Sequence, residues 1–83
     1  MGPHTITVIT EESVAHRINN YWERRRLFNR RVRRFGWQWY VVYDAGKNAM
    51  IWRSTDLDKL GRKMGLVAPS EELSHHNDRY RRN

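Results

Sequence analysis

Cysteine is absent from the chain, which rules out disulfides, thiolate metal sites and thiol nucleophiles. Long apolar runs are absent too. None approaches the roughly 20 residues that a membrane-spanning helix needs. The opening MGPHTITVIT lacks the basic-then-apolar layout of a signal peptide, so the cytoplasm is the expected location, with no membrane contact. There is no internal repeat, no low-complexity tract, no glycine-rich phosphate loop and no nucleophile elbow. The acidic pairs Glu11–Glu12, Asp56–Asp58 and Glu71–Glu72 each stand where the first turn of a helix favours acids, which leaves no ligand set for Mg²⁺. The histidines are His4, His16, His75 and His76. Adjacent residues on a helix do not face one ion, and no third ligand follows His75 and His76 at a metal spacing. The expectation is a binding protein with no cofactor, no metal and no enzymatic activity.

Lysine is scarce, and arginine takes its place. The 83 residues carry 16 Lys+Arg against 9 Asp+Glu, a net charge of +7, and only Lys47, Lys59 and Lys63 among the bases are lysine. A basic excess of this size implies a polyanionic partner. The planar guanidinium fork matches phosphate and the guanine edge, and it stacks on flat rings. The stretch ERRRLFNRRVRRF, residues 23–35, concentrates seven arginines beside Leu27, Phe28, Val32 and Phe35, with Glu23 the one acid in it. A chain of this length is one domain with a thin core.

The segment TITVI (5–9) alternates like a short strand. Thr10, followed by Glu11 and Glu12, reads as a helix cap. From there Val14, Ile18, Tyr21, Phe28, Val32 and Phe35 recur at helical steps, with no Gly or Pro before Gly36. This predicts a long amphipathic helix to Phe35, one side apolar and the other lined with guanidiniums. The rival reading ends the helix near Arg26 and begins a strand near Asn29. It is less favoured because strand alternation would put Val32 on one face with Arg30 and Arg34. WQWYVVYD (37–44), the turn AGKN and AMIWRS (49–54) predict a hairpin. Trp37, Trp39, Val41 and Tyr43 share one of its faces, and Gln38, Tyr40 and Val42 the other. Thr55 then caps a helix carrying Leu57, Leu60 and Met64, which Gly65 can end.

The segment GWQWYVVYDAGKNAMIWRSTDLDKLGRKM resembles the N-terminal arm-binding domains of phage tyrosine integrases. These domains have a Gly-Trp strand, a Gly-Lys turn and a Thr-started helix. The resemblance, over residues 36–64, implies a three-stranded sheet that enters the major groove, with its third strand drawn from Thr5–Ile9 or from the arginine run. A vaguer likeness is to α-β-β-β-α RNA-binding modules.

The fold class expected is α+β: a small β-α-β-β-α domain over 1–68, with a long basic amphipathic helix packed on a short antiparallel sheet. Residues 69–83 are expected to be a polar tail, mobile or forming a short helix from Ser70. The expected function is nucleic-acid binding, duplex DNA ahead of RNA, by a phage or mobile-element accessory factor. The expected contacts are Arg24, Arg26, Arg30, Arg31, Arg33 and Arg34, extended by Lys47 and Arg53 from the hairpin. The alternative is a protein-interaction module, a small inhibitor or adaptor docking on an acidic host protein, since Arg is also the favoured hot-spot residue at protein interfaces.

Overall fold

Thr10 starts the main helix as its sequence predicts. Its hydroxyl oxygen accepts from the Ser13 N–H at 3.0 Å, and helix α1 (Glu11–Arg24) follows with Glu11 and Glu12 in its first turn. The computed structural model describes the backbone of residues 5–44, 50–54 and 56–74, and the side chains of 5–43 and 56–74. Strand β1 (Thr7–Ile9) precedes α1. Strands β2 (Arg30–Phe35), β3 (Gln38–Asp44) and β4 (Met50–Ser54) follow it, then helix α2 (Leu57–Lys63) and strand β5 (Glu71–Leu73). The domain is α+β, and between its first and last strands the order is α-β-β-β-α. Among the described residues, no helix is long and apolar enough to cross a membrane.

The long helix is corrected at its second half. α1 stops at Arg24, and the arginine run continues as β2. Arg26 takes a left-handed backbone, with φ of 61°. The Arg26 N–H reaches back to the Glu23 carbonyl at 3.0 Å, and the Leu27 N–H to the Trp22 carbonyl at 2.8 Å. This double closure ends helices most often with glycine at the left-handed position. Arginine there leaves no mark in the sequence. The break carries Phe28 and Phe35, expected on the apolar stripe, out to solvent at 66% and 46% exposure. Val32 is still buried, but as a strand residue.

The central sheet is antiparallel in the order β2-β3-β4. Gly36, with φ of 64°, occupies the first turn position between β2 and β3, where a tight hairpin of this kind calls for glycine. The register pairs Phe35 with Gln38, Val32 with Val41, and Arg30 with Tyr43. β4 pairs with β3 from Tyr40 opposite Ser54 to Asp44 opposite Met50, so the third strand comes from the arginine run. The predicted AGKN turn lies outside the described residues. Strand β1 pairs instead with β5, parallel, Thr7 opposite Glu71. The segment expected as a tail from residue 69 therefore contributes a strand, and its Leu73 is buried.

α1 is the hub of the packing, touching β2 on one side and α2 on another. Val14, Ala15, Ile18 and Trp22 from α1 meet Val32 and Val41 from the sheet, Leu57 from α2, and Ile9, Val67 and Leu73 in one apolar cluster. Val14 and Ile18 are fully buried. The cap of α2 is Asp56, whose carboxylate accepts from the Asp58 and Lys59 amides, one residue later than the Thr55 the sequence suggests.

Candidate nucleic-acid interface

Strand alternation sorts the arginines of β2 onto two faces. Arg30, Val32 and Arg34 turn toward α1, and Arg31, Arg33 and Phe35 turn away. Two charged residues beside a buried valine would ordinarily weaken a strand assignment. Here the rings resolve the conflict. The Arg30 guanidinium lies 5.6 Å from the Trp22 ring and 5.5 Å from the Tyr43 ring. Arg34 lies 5.9 Å from Trp37 and 5.8 Å from Trp39, and its Nη1 donates to Glu12 at 2.8 Å. Guanidinium–ring contacts of this kind are worth about 0.5–1 kcal/mol at exposed sites and more where water is excluded. Glu11 accepts from the Trp39 indole at 3.1 Å, fixing the ring that Arg34 lies against. The inner arginines thus hold α1 to the sheet.

A fourth contact of the same seam is made by Asn19. Its Oδ1 accepts from the Val32 N–H at 2.7 Å, and its Nδ2 donates to the Val32 carbonyl at 3.1 Å. The side-chain amide reproduces a strand's two hydrogen bonds on the outer edge of β2.

The outward face of the sheet has a different character. Arg31 stands opposite Val42, Arg33 opposite Tyr40, and Phe35 opposite Gln38. The Phe35 and Tyr40 rings meet edge to face at 5.8 Å and 67°. The Tyr40 hydroxyl donates to the Gln38 side-chain Oε1 at 3.3 Å. Val42 is buried on this side, apart from the main apolar cluster. Arg31 and Arg33 are exposed, and among the described residues neither forms an ion pair. The face therefore offers two unneutralised guanidiniums around a ring pair.

A second basic cluster lies at the end of α1. Arg24, Arg25 and Arg26 are exposed, and the Arg25 guanidinium sits 4.2 Å above the Tyr21 ring. A groove of about 330 Å³ opens beside it, lined by Arg17, Asn20, Tyr21, Arg24, Arg25 and Leu66. Arg17 forms its wall. It donates to both carboxylate oxygens of Glu71, at 2.8 and 2.9 Å, and to the Leu66 carbonyl at 2.8 Å. The Arg17 hydrogen bonds, followed by one from the Ala68 N–H, hold the Glu71 carboxyl down to about 2 from its ordinary 4.5. The same pairing raises Arg17 above its ordinary value.

The arginines expected to share one surface are thus divided among three places. Arg31 and Arg33 come together on the outer sheet face. Arg24 stands in the α1 groove, and Arg26 at the bend after it. Arg30 and Arg34 are committed to the α1–sheet seam. Arg53 lies in β4 opposite Val41, and Lys47 lies outside the described residues. Arg25 was missed, although its four-residue spacing from Tyr21 is the spacing at which helical neighbours meet. The Arg17–Glu71 pair spans 54 residues, and no local signal announces it. No protein family, no curated protein and no solved structure matches the chain.

Proposed function

We propose that this is a small nucleic-acid-binding domain that engages duplex DNA through the outward face of its three-stranded sheet. The observation that carries the reading is the placement of Arg31 and Arg33, exposed and without acidic partners among the described residues, beside the Phe35–Tyr40 ring pair. Three strands spaced about 4.8 Å apart give a ribbon about 10 Å wide at the backbone. The major groove, about 12 Å wide, admits elements of that size, and arginine is the commonest reader of its guanine edge. The resemblance of residues 36–64 to integrase arm-binding domains supports the same docking mode. It also supports the role of a phage or mobile-element accessory factor, acting in the cytoplasm. The ring pair would flank base or sugar surface while the arginines neutralise phosphates.

The test is a fluorescence anisotropy titration of the whole chain on a random duplex across a salt series. Binding should weaken with a log–log slope on the order of −2 to −4, the signature of a few released counterions. Arg31→Gln with Arg33→Gln should flatten that slope by about 2 while leaving the circular dichroism unchanged. Absence of binding at about 50 mM salt would overturn the reading and turn the arginine surface over to an acidic protein partner. A duplex RNA of equal length separates groove reading from recognition of A-form shape.

A further inference from the structure

The α1 groove is a second basic site, and its position relative to the sheet face gives it a separate task. A helix turns about 100° per residue. On that basis Asn20, Arg24, Arg17 and Tyr21 lie between about 100° and 160° around α1 from Asn19, the residue that fastens α1 to β2. The groove therefore opens on the flank of α1 turned away from the sheet. α1 is about 10 Å across with its side chains, and it stands between the groove and the sheet. Duplex DNA has a persistence length of about 150 base pairs, so one short duplex resting on the outward sheet face does not fold around that layer.

The chemistry of the groove suits a phosphate group. Glu71 neutralises Arg17 and so shapes the wall, while Arg24 and Arg25 have no ion-pair partner among the described residues. Stacking on Tyr21 at 4.2 Å uses the face of the Arg25 guanidinium and leaves its N–H edge for an acceptor. The Asn20 amide and the Tyr21 hydroxyl add neutral donors of the kind that accompany arginine on phosphate oxygens. Leu66 also lines the groove, and its carbonyl is engaged by Arg17.

We propose that this groove holds a backbone phosphate of a second duplex, so that one molecule bridges two DNA segments, one on the sheet and one on α1. The proposal rests on the duplex-binding reading of the sheet face. A free phosphate or mononucleotide shares the same chemistry, and the experiment separates these sources.

Two duplexes about one helical turn long, roughly 10 base pairs, would carry a donor and an acceptor dye and be mixed with the whole chain at low salt. Energy transfer between them should appear, and the complex should have the mass of one chain with two duplexes. Arg24→Gln with Arg25→Gln should cut the transfer about tenfold while changing single-duplex affinity less than about threefold, because only groove phosphates are lost. Glutamine keeps the helix propensity near that of arginine, and circular dichroism confirms the fold. Inorganic phosphate at equal ionic strength should not abolish the transfer; if it does, the groove takes free phosphate and the bridging proposal is overturned. Single-duplex binding by the parent chain with no transfer overturns bridging and leaves the sheet reading standing. Transfer that comes only from complexes with two chains also overturns bridging. Equal loss of single-duplex affinity in the groove and sheet variants would merge the two surfaces into one and overturn it as well. Failure of the parent chain to bind any duplex removes both readings.

Discussion

At the end of α1, the Leu27 amide reaches back to the Trp22 carbonyl and the Arg26 amide to Glu23. At the end of α2, the Leu66 amide reaches back to Gly61 and the Gly65 amide to Arg62. The hydrogen-bond scheme is the same, and in both cases a leucine follows and packs on the common core. The residues filling the scheme are reversed in size. α1 has tryptophan and arginine where α2 has two glycines. The left-handed backbone costs a residue with a Cβ about 1–2 kcal/mol, and glycine escapes that cost. Arg26 therefore carries a strain at φ of 61° that Gly65 does not carry at 76°. Trp22, buried to 6% exposure, anchors the strained end, whereas Gly61 lets α2 come close to α1. One end is held by bulk and the other by the lack of it.

The comparison can be broken most forcefully at Trp22. Trp22→Ala should destabilise by about 3–5 kcal/mol, enough to unfold so thin a domain, as read by urea denaturation. A near-native midpoint would show that α1's end stands without its anchor. Next comes Gly61→Ala. A Cβ there would lie 2.6 Å from Val67 Cγ2 and 3.1 Å from Val14 Cγ1, inside ordinary contact. The substitution should cost about 1–3 kcal/mol through overpacking, despite the better helix propensity of alanine.

A reciprocal pair sharpens the argument about strain. Gly65→Arg should lower stability by about 1 kcal/mol. Arg26→Gly should raise it by about 0.5–1 kcal/mol, since the gain from relieved strain exceeds the added freedom of the unfolded chain. Equal and opposite melting shifts are the outcome to look for. Two losses would mean that Arg26 makes contacts worth more than its backbone costs.

The smallest expected effect concerns acid. The α2 end is tied across to α1, because Arg17 binds both Glu71 and the Leu66 carbonyl. The Glu71 carboxyl is held down to about 2 in the folded chain, so the unfolded chain takes up its proton first. The stability this pair supplies is complete above the ordinary carboxylate value of 4.5 and drains away as pH falls through about 2. Urea midpoints at about pH 5 and about pH 2.5 should fall less in Glu71→Gln than in the parent chain.

The same two helix ends mark what could be read from sequence. Gly65 announces the end of α2, and Thr10 with its acids announces the start of α1. The hairpin of β3 and β4 shows in its β-branched and aromatic composition. The end of α1 is silent, because an arginine occupies the position where glycine would have signalled a stop. Alternation in β2 then misleads, since it puts Val32 with Arg30 and Arg34. The rings of Trp22, Trp37, Trp39 and Tyr43, with the Glu12 carboxylate for Arg34, make those arginines acceptable on an inner face. The site was legible as composition, an arginine excess beside aromatics, but its division into sheet-face, seam and groove residues depends on where the helix stops. β5 was hidden by its brevity and by having its partner at the far end of the chain.

That distant partner bears on how the molecule is made. Thr7 waits for Glu71 and Ile9 for Leu73, so β1 leaves the ribosome well before the strand it pairs with. α1, the sheet and α2 can gather in the meantime around contacts closer in sequence, which cost less loop entropy to close. The Arg17–Glu71 pair arrives with β5 and shares its delay. A nascent chain halted before residue 71 would thus hold an exposed Ile9, a groove whose Arg17 lacks its carboxylate partner and a sheet already in register. The outward face of the sheet, with Arg31 and Arg33, would be complete before the domain is closed.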